Sequence, residues 1–314
     1  VTIQLAARAA FRPYVAVVKG VNRLSPHFAR ITFTCPEFVD FGTAGLDQRL
    51  KVLFPGPDGR ICDVGQTDPA AIAAGDWYLR WRELPTAERT PYRTYTVRRV
   101  DPAACEVDID FVLHTDPGPA GAWAEAAAPG HEVVIVGPDE LSEGRHGGID
   151  WHPGTARRVL LVGDETAAPA IGSIIESLGP DYDADAFLEI PTDADVLPLR
   201  IRDSSRLRVT WLPRNDRPHG EALIHAVTGW AAGHGDVLAR AASPRPQELE
   251  DTDIDHELLW DSPADAEGEF YAWMAGEAQT VKTLRRLLVQ GHGVDRKRVA
   301  FMGYWRAGQA ERTE

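Results

Sequence analysis

An antiparallel β-barrel followed by an open, mostly parallel α/β domain is the architecture this sequence predicts, and three observations carry it. The chain has 314 residues, about twice the usual domain length. Its first half is a series of short β-rich runs punctuated by Pro, Gly and Asp. Its second half alternates apolar strand patterns with helical ones, the signature of parallel strands joined by crossover helices. The boundaries expected are 1–150 for the barrel and 155–314 for the α/β domain.

The barrel runs are YVAVVKGV (14–21), ARITFTC (29–35), RLKVLFPG (49–56), YRTYTVRRV (92–100), CEVDIDFVLH (105–114) and HEVVIVGP (131–138). Between the last two, TDPGPAGAWAEAAAPG (115–130) has turn chemistry and then small residues, which predicts a short helix. DELSEGRHGGIDWHPGTA (139–156) shows no periodicity and reads as the interdomain linker. A strand and helix follow in RRVLLVGDETAAPAIGSIIESLG (157–179), strands in ADAFLEIPT (184–192) and RLRVTWLPR (206–214), and a helix near EALIHAVTGWAAG (221–233). FYAWMAGEAQTVKTLRRLLVQG (270–291) is again strand then helix, and RVAFMGYW (298–305) closes the sheet.

Composition narrows the function classes. Hydrophobic residues make up 44% and charged residues 25%, and no apolar run approaches the roughly 20 residues that cross a bilayer. The opening VTIQLAARAAFRPYV lacks a signal-peptide pattern, so the cytoplasm is the expected location. Cys35, Cys62 and Cys105 are too few and scattered for a disulfide framework, zinc site or iron–sulfur cluster. The formal charge of −14 argues against nucleic-acid or anionic-membrane partners. That excess is local: ten acidic residues and no Lys or Arg lie between Pro246 and Glu269, so the remaining chain carries −14 − (−10) = −4. This stretch, part of an insertion expected at about 241–269, is predicted to be a solvated loop.

The barrel-plus-α/β layout is that of flavin reductases of the ferredoxin-reductase type, and local motifs add to it. In Arg93-Thr94-Tyr95-Thr96, strand alternation puts Arg93 and Tyr95 on one face. A guanidinium there can fork onto a diphosphate while the phenol ring stacks on a flat ring system. The Thr96 hydroxyl suits a ring nitrogen. The alternative is an edge strand with a cross-strand Arg and Tyr pair. His114 precedes a Gly-rich turn and a helix start, where free N–H groups and the dipole favour pyrophosphate. A satisfied structural histidine is the competing reading.

These blocks, taken in order, resemble the siderophore-interacting proteins, FAD-dependent ferric-siderophore reductases. The resemblance rests on RTYTVR (93–98), DFVLH with GPAGAWAEAAAPG and VGP (110–138), LLVGDETAAPAIGSIIESL (160–178), FLEI (187–190), VTWLPR (209–214), YAWMAGEA with KTLRRLL (271–288) and GYWRAG (303–308). It implies that Arg93, Tyr95, Thr96 and the adjoining Val97 hold the FAD diphosphate and isoalloxazine. His114, Thr115, Gly118, Ala120 and Trp123 would line the pyrophosphate and adenosine side, and Thr166 would approach the flavin region. Two positions differ from the family pattern: Thr115 replaces a frequent Gly, and Gly121 a common Ser, which leaves a backbone N–H but no hydroxyl.

The α/β half departs from a dinucleotide domain. Its first turn, Gly163-Asp164-Glu165-Thr166-Ala167, lacks G-x-G-x-x-G and sets two carboxylates where pyrophosphate would rest. Helix capping by Asp164 and a dipole contact from Glu165 are the structural alternatives. NADH or NADPH would dock by another route, or reduced ferredoxin or another small electron-carrier protein would be the donor. Lys282, Arg285 and Arg286, at i, i+3 and i+4, are expected to share a helix face beside a Val281, Leu284 and Leu288 packing stripe. Either they favour the helix dipole, or with Lys51 they form a basic pocket attracting a negatively charged ferric chelate.

Electron counting then gives the expected activity. A nicotinamide gives two electrons, chelated iron accepts one, and a flavin steps between them, releasing ferrous iron from the siderophore. No acid or base catalyst and no protein-bound metal is required, and a monomer is expected. The rivals are a general NAD(P)H flavin or ferredoxin-type reductase and a non-catalytic siderophore-binding protein.

Overall fold

The computed structural model describes residues 8–114, 117–201, 206–249, 252–254, 257–264 and 266–308. They divide into two units at Ile149 and Asp150. No helix among them is long and apolar enough to cross a membrane.

The first unit is one antiparallel sheet. Its strands are β1 (Phe11–Ser25), β2 (Phe28–Thr34), β3 (Arg49–Leu53), β4 (Tyr92–Thr96), β5 (Arg99–Asp101), β6 (Glu106–Val112) and β7 (Glu132–Pro138), in the order β4-β3-β7-β1-β2-β6-β5. The terminal strands of that order, β4 and β5, are consecutive in sequence. Only Val97 and Arg98 join them: Val97 N–H donates to Gln48 O on one side and Arg98 N–H to Asp108 O on the other. Thr96 and Arg99 are three Cα steps apart, no more than about 11 Å, so the sheet must curl until its edges meet. The single strand expected over 92–100 is thus two, broken where the barrel closes.

Alternation along β2 drives the interior: Ala29, Ile31 and Phe33 are buried with Ala16, Val18, Phe111 and Ile135. Two helices absent from the sequence reading, α1 (Pro69–Ala74) and α2 (Trp77–Glu83), lie in the long connection between β3 and β4. Trp81 packs edge-on to Tyr92 at 5.0 Å and joins Leu53, Val134 and Val136 in a second cluster. The predicted short helix is α3 (Pro119–Glu125).

The second unit is a six-stranded sheet with helices. It comprises β8 (Arg158–Gly163), α4 (Ala168–Ser177), β9 (Asp183–Ile190), β10 (Leu207–Pro213), α5 (Glu221–Gly233), α6 (Gly235–Arg240), β11 (Trp260–Asp261), β12 (Phe270–Glu277), α7 (Ala278–Arg286) and β13 (Val299–Trp305). The order is β10-β9-β8-β12-β13-β11, parallel except for β11. β8 and β12 are buried almost throughout, as central parallel strands covered on both faces must be. The chain steps from β8 to β9 on one side and later to β12 on the other, so the topological switch point lies between β8 and β12.

Two connecting segments differ from expectation. Residues 139–156 are fastened to the units. Gln48 Nε2 donates to Arg145 O and Gly147 O, Arg49 N–H to Gly148 O, and Tyr271 Oη to Asp150 O. The acidic stretch is a solvated face on an anchored strand rather than a simple loop. Glu248, Asp253, Glu257, Glu267 and Glu269 are exposed, but Leu259 is buried and Trp260 pairs with Met302. Glu250, Asp251, Asp255 and Asp265 lie outside the described residues.

Candidate functional site

In the barrel the site is built on β4. Cross-strand register pairs Lys51 with Thr94, and the Lys51 ammonium donates to Thr94 Oγ1 and lies 5.5 Å from the Tyr92 ring centroid. Alternation therefore puts Lys51, Tyr92 and Thr94 on one face and Arg93 with Tyr95 on the other. Tyr95 packs its ring 4.4 Å from Phe111 and edge-on to Phe54 at 6.3 Å, while staying half-buried. Arg93, also half-buried, donates to Tyr92 O at 2.7 Å. Thr96 and Val97 are buried, Val97 in the barrel core.

His114 is exposed at the end of β6, after Leu113 N–H has paired with His27 O. Thr115 lies outside the described residues. Gly118 caps α3, whose first backbone bond runs from Ala122 N–H to Gly118 O, with Pro119 opening the helix. Ala120 is buried against the core, and Trp123 packs 5.2 Å from Phe54. A side chain at Gly121 would meet Pro117 Cβ at 2.8 Å, the local reason why no serine stands there. The residues fit FAD on two observations: Arg93 and Tyr95 share one face of β4 and are only half-buried there, and a Cβ added at Gly118 would meet nothing within 4 Å.

In the α/β unit the strand ends carry a carboxylate cage. Neither Asp164 nor Glu165 caps α4, whose N-cap is Ala167. Asp164, only 5% exposed, accepts from Thr166 N–H and Thr166 Oγ1 within its own turn. It also accepts from Glu277 N–H at 2.7 Å and Trp305 Nε1 at 2.8 Å. It thus joins the ends of β8, β12 and β13. Gly276, at φ +142°, is required for this approach, since a Cβ would lie 2.5 Å from Asp164 Oδ2. Glu165 is fully buried in a fork with Arg214 at 2.7 and 2.8 Å, and Glu189 lies 3.8 Å from the same guanidinium. Glu189 also accepts from Gly220 and Leu223 N–H, and Glu277 caps α7 through Thr280 N–H.

This cage fills the switch point where an open α/β sheet normally receives its ligand. Burial, with Glu165 adding like charge, pushes the Asp164 carboxyl up to about 7 against the pull of its donors from Thr166, Trp305 and Glu277. Below the unfolded carboxyl range, near pH 4, both states are protonated. Between there and about 7 the folded chain keeps a proton the unfolded chain has lost, so stability falls as pH rises and then levels off. Relative to Asp164→Asn, the parent should lose about 3 kcal/mol between about pH 5 and about pH 8 in denaturant titrations. A difference constant across that window contradicts the assignment.

The expected basic face divides in two. Lys282 donates to Thr252 O at 2.7 Å, tying the acidic segment to α7. Arg285, at 8% exposure, lies 4.0 Å from the Phe301 ring centroid, while Arg286 is exposed. Thr166, committed to Asp164, is half-buried in the first turn. Sequence reading missed Arg214, Glu189, Glu277 and Trp305 as members of this cage. Their one visible signal was position at the carboxyl ends of predicted strands or just beyond them.

An antiparallel barrel followed by a mostly parallel α/β unit is the ferredoxin-reductase-like fold. The ferredoxin reductase in carbazole 1,9a-dioxygenase shares the fold with TM-score 0.57 at 14% identity, over 94% of this chain and 70% of that one. Residues 17–141 match the siderophore-interacting FAD-binding domain and residues 156–308 the siderophore-interacting protein domain. An uncharacterized protein of Mycobacterium tuberculosis, Rv2895c, is 32% identical over 94% of this chain and 90% of its own length. Ferric vibriobactin reductase ViuB of Vibrio cholerae is 26% identical over 92% and 87%. The crystal structure of siderophore-interacting protein SipS from Aeromonas hydrophila gives TM-score 0.64 at 26% identity, over 96% and 95%. The chain belongs to the siderophore-interacting protein family and is an FAD-dependent oxidoreductase.

Proposed function

We propose that this chain reduces ferric siderophores in the cytoplasm, with NADH, NADPH or reduced ferredoxin as electron donor. The observation that carries the reading is β4, where Arg93 and Tyr95 stand together, each half-buried, on one face of a strand inside the FAD-binding match. Bound FAD supplies the step-down between a two-electron donor and a one-electron acceptor. The remaining work falls to the chain. Arg93 binds diphosphate through its fork, and Tyr95, braced by Phe111 and Phe54, offers a flat ring to the isoalloxazine. Thr96 and Val97 fix that ring's edge through the backbone. His114, Gly118 and the start of α3, with Ala120 and Trp123, hold the pyrophosphate and adenosine side.

On the α/β unit, Lys282 and Arg286 attract a negatively charged chelate, with Arg285 holding α7 on Phe301 beneath them. Lys51 lies on the other face of its sheet from Tyr95, so its charge is assigned to no contact with the flavin ring. The carboxylate cage disfavours a nucleotide pyrophosphate on the β8 turn, which favours a protein donor over NADH or NADPH. The chain's cysteines are free thiols, in keeping with a reducing compartment.

The test compares substrates of different charge. Lys282→Ala with Arg286→Ala should raise KM several-fold for an anionic ferric chelate and leave a neutral one unchanged. Equal effects on both would remove the electrostatic role.

A further inference from the structure

Parallel strands start at one edge of a sheet and finish at the other, so residues opening each strand gather at the amino-terminal edge. Arg158 opens β8, Arg208 is the second residue of β10 and Arg298 immediately precedes β13. Arg240 ends α6 beside them. These four arginines line a cavity of about 390 Å³ with His234 and Phe270, within the size range of small-molecule sites. It lies at the edge opposite the Asp164 and Glu165 cage.

The four guanidiniums differ in what they already hold. Arg158 and Arg208 share Asp183, at 3.1 and 2.8 Å, and both bond Asp185. Asp185 is buried and also accepts from Trp230 Nε1 at 2.7 Å. That set is fully partnered and forms a fixed wall. Arg240 reaches Asp236 at 3.1 Å and Glu269 at 3.5 Å, but these carboxylates are 71% and 82% exposed. Pairs of that kind are worth at most about 1 kcal/mol and open readily.

Arg298 has no carboxylate within 4.0 Å among the described residues, and its guanidinium donates to Arg240 O at 3.4 Å. Gly268 makes room for it: φ there is +114°, and a Cβ would lie 2.6 Å from Arg298 Cζ. The backbone is shaped to hold a second positive charge next to Arg240 at the cavity wall. Two adjacent guanidiniums, one without a carboxylate partner and one with yielding partners, are relieved by an anion between them, and their planar forks match phosphate or carboxylate oxygens.

We propose that this cavity binds a small multivalent oxyanion, a phosphate or a polycarboxylate, gripped by Arg240 and Arg298 against the wall of Arg158 and Arg208. The site is independent of the flavin reading. Calorimetric titration of the FAD-loaded full chain at constant ionic strength, with inorganic pyrophosphate in one arm and citrate in the other, tests it. Saturable one-to-one binding is expected in at least one arm, and the arm that binds names the oxyanion. Arg298→Gln and Arg240→Gln should each weaken it about tenfold or more, a 1.4 kcal/mol loss, whereas Arg217→Gln should leave it unchanged. No saturable binding in either arm, or binding that both cavity variants retain, overturns the proposal.

Discussion

Arg93→Ala should purify without its yellow colour and regain FAD only weakly. Arg93 is the one arginine on the Tyr95 face of β4, and a charge-assisted fork onto a diphosphate is worth about 3 kcal/mol, or about 100-fold in Kd. Arg93→Lys keeps the charge but not the planar fork, so its affinity should fall between parent and alanine variant. Because Arg93 is half-buried and its removal opens no core cavity, the melting temperature of the FAD-free protein should stay close to the parent's. A fully yellow Arg93→Ala protein with unchanged turnover would remove Arg93 from the FAD site.

The largest loss of stability is expected from Arg214→Met. The substitution leaves Glu165 and Glu189, both fully buried, without the guanidinium that faces them, beside a third buried carboxyl at Asp164. Breaking one side of a buried ion pair costs about 3–5 kcal/mol because the abandoned charge stays desolvated. For a unit of this size that lowers the melting temperature by roughly 10 °C. Glu165→Gln in the same chain should recover part of the loss, and a double-mutant cycle reads the coupling directly. A melting temperature within about 2 °C of the parent for Arg214→Met would show that Arg214 does not hold the cage.

What the sequence revealed about the fold was what local pattern encodes. The runs at 29–35 and 131–138 became β2 and β7 because alternating or continuous apolar residues select strands without help from distant chain. The break at Val97 and Arg98 was not legible. YRTYTVRRV contains no Gly or Pro, and the break comes from pairing with Gln48 on one side and Asp108 on the other, a consequence of barrel closure. Asp68-Pro69 and Gly75 did mark the ends of α1, since Asp68 caps it through Ala70 N–H, but the helix was too short for its periodicity to register.

The site divides along the same line. Alternation sufficed to put Arg93 and Tyr95 on one face. The roles of Asp164 and Glu165 were hidden because their partners are remote: Arg214 lies 49 residues away, Glu277 113 and Trp305 141. Spacing also grouped Arg285 with Arg286, whereas packing against Phe301 buries the first and leaves the second in solvent. A helix face one residue wide cannot be assigned until its neighbours are known.

An anaerobic spectral titration addresses the central claim, that β4 holds a flavin whose electrons reach chelated iron. The protein should carry one FAD per chain, lose its visible flavin absorbance on addition of reduced ferredoxin or NADH, and recover it as two equivalents of ferric siderophore are added. A chain that neither carries nor takes up FAD, or whose bleached flavin a ferric siderophore fails to restore, contradicts it.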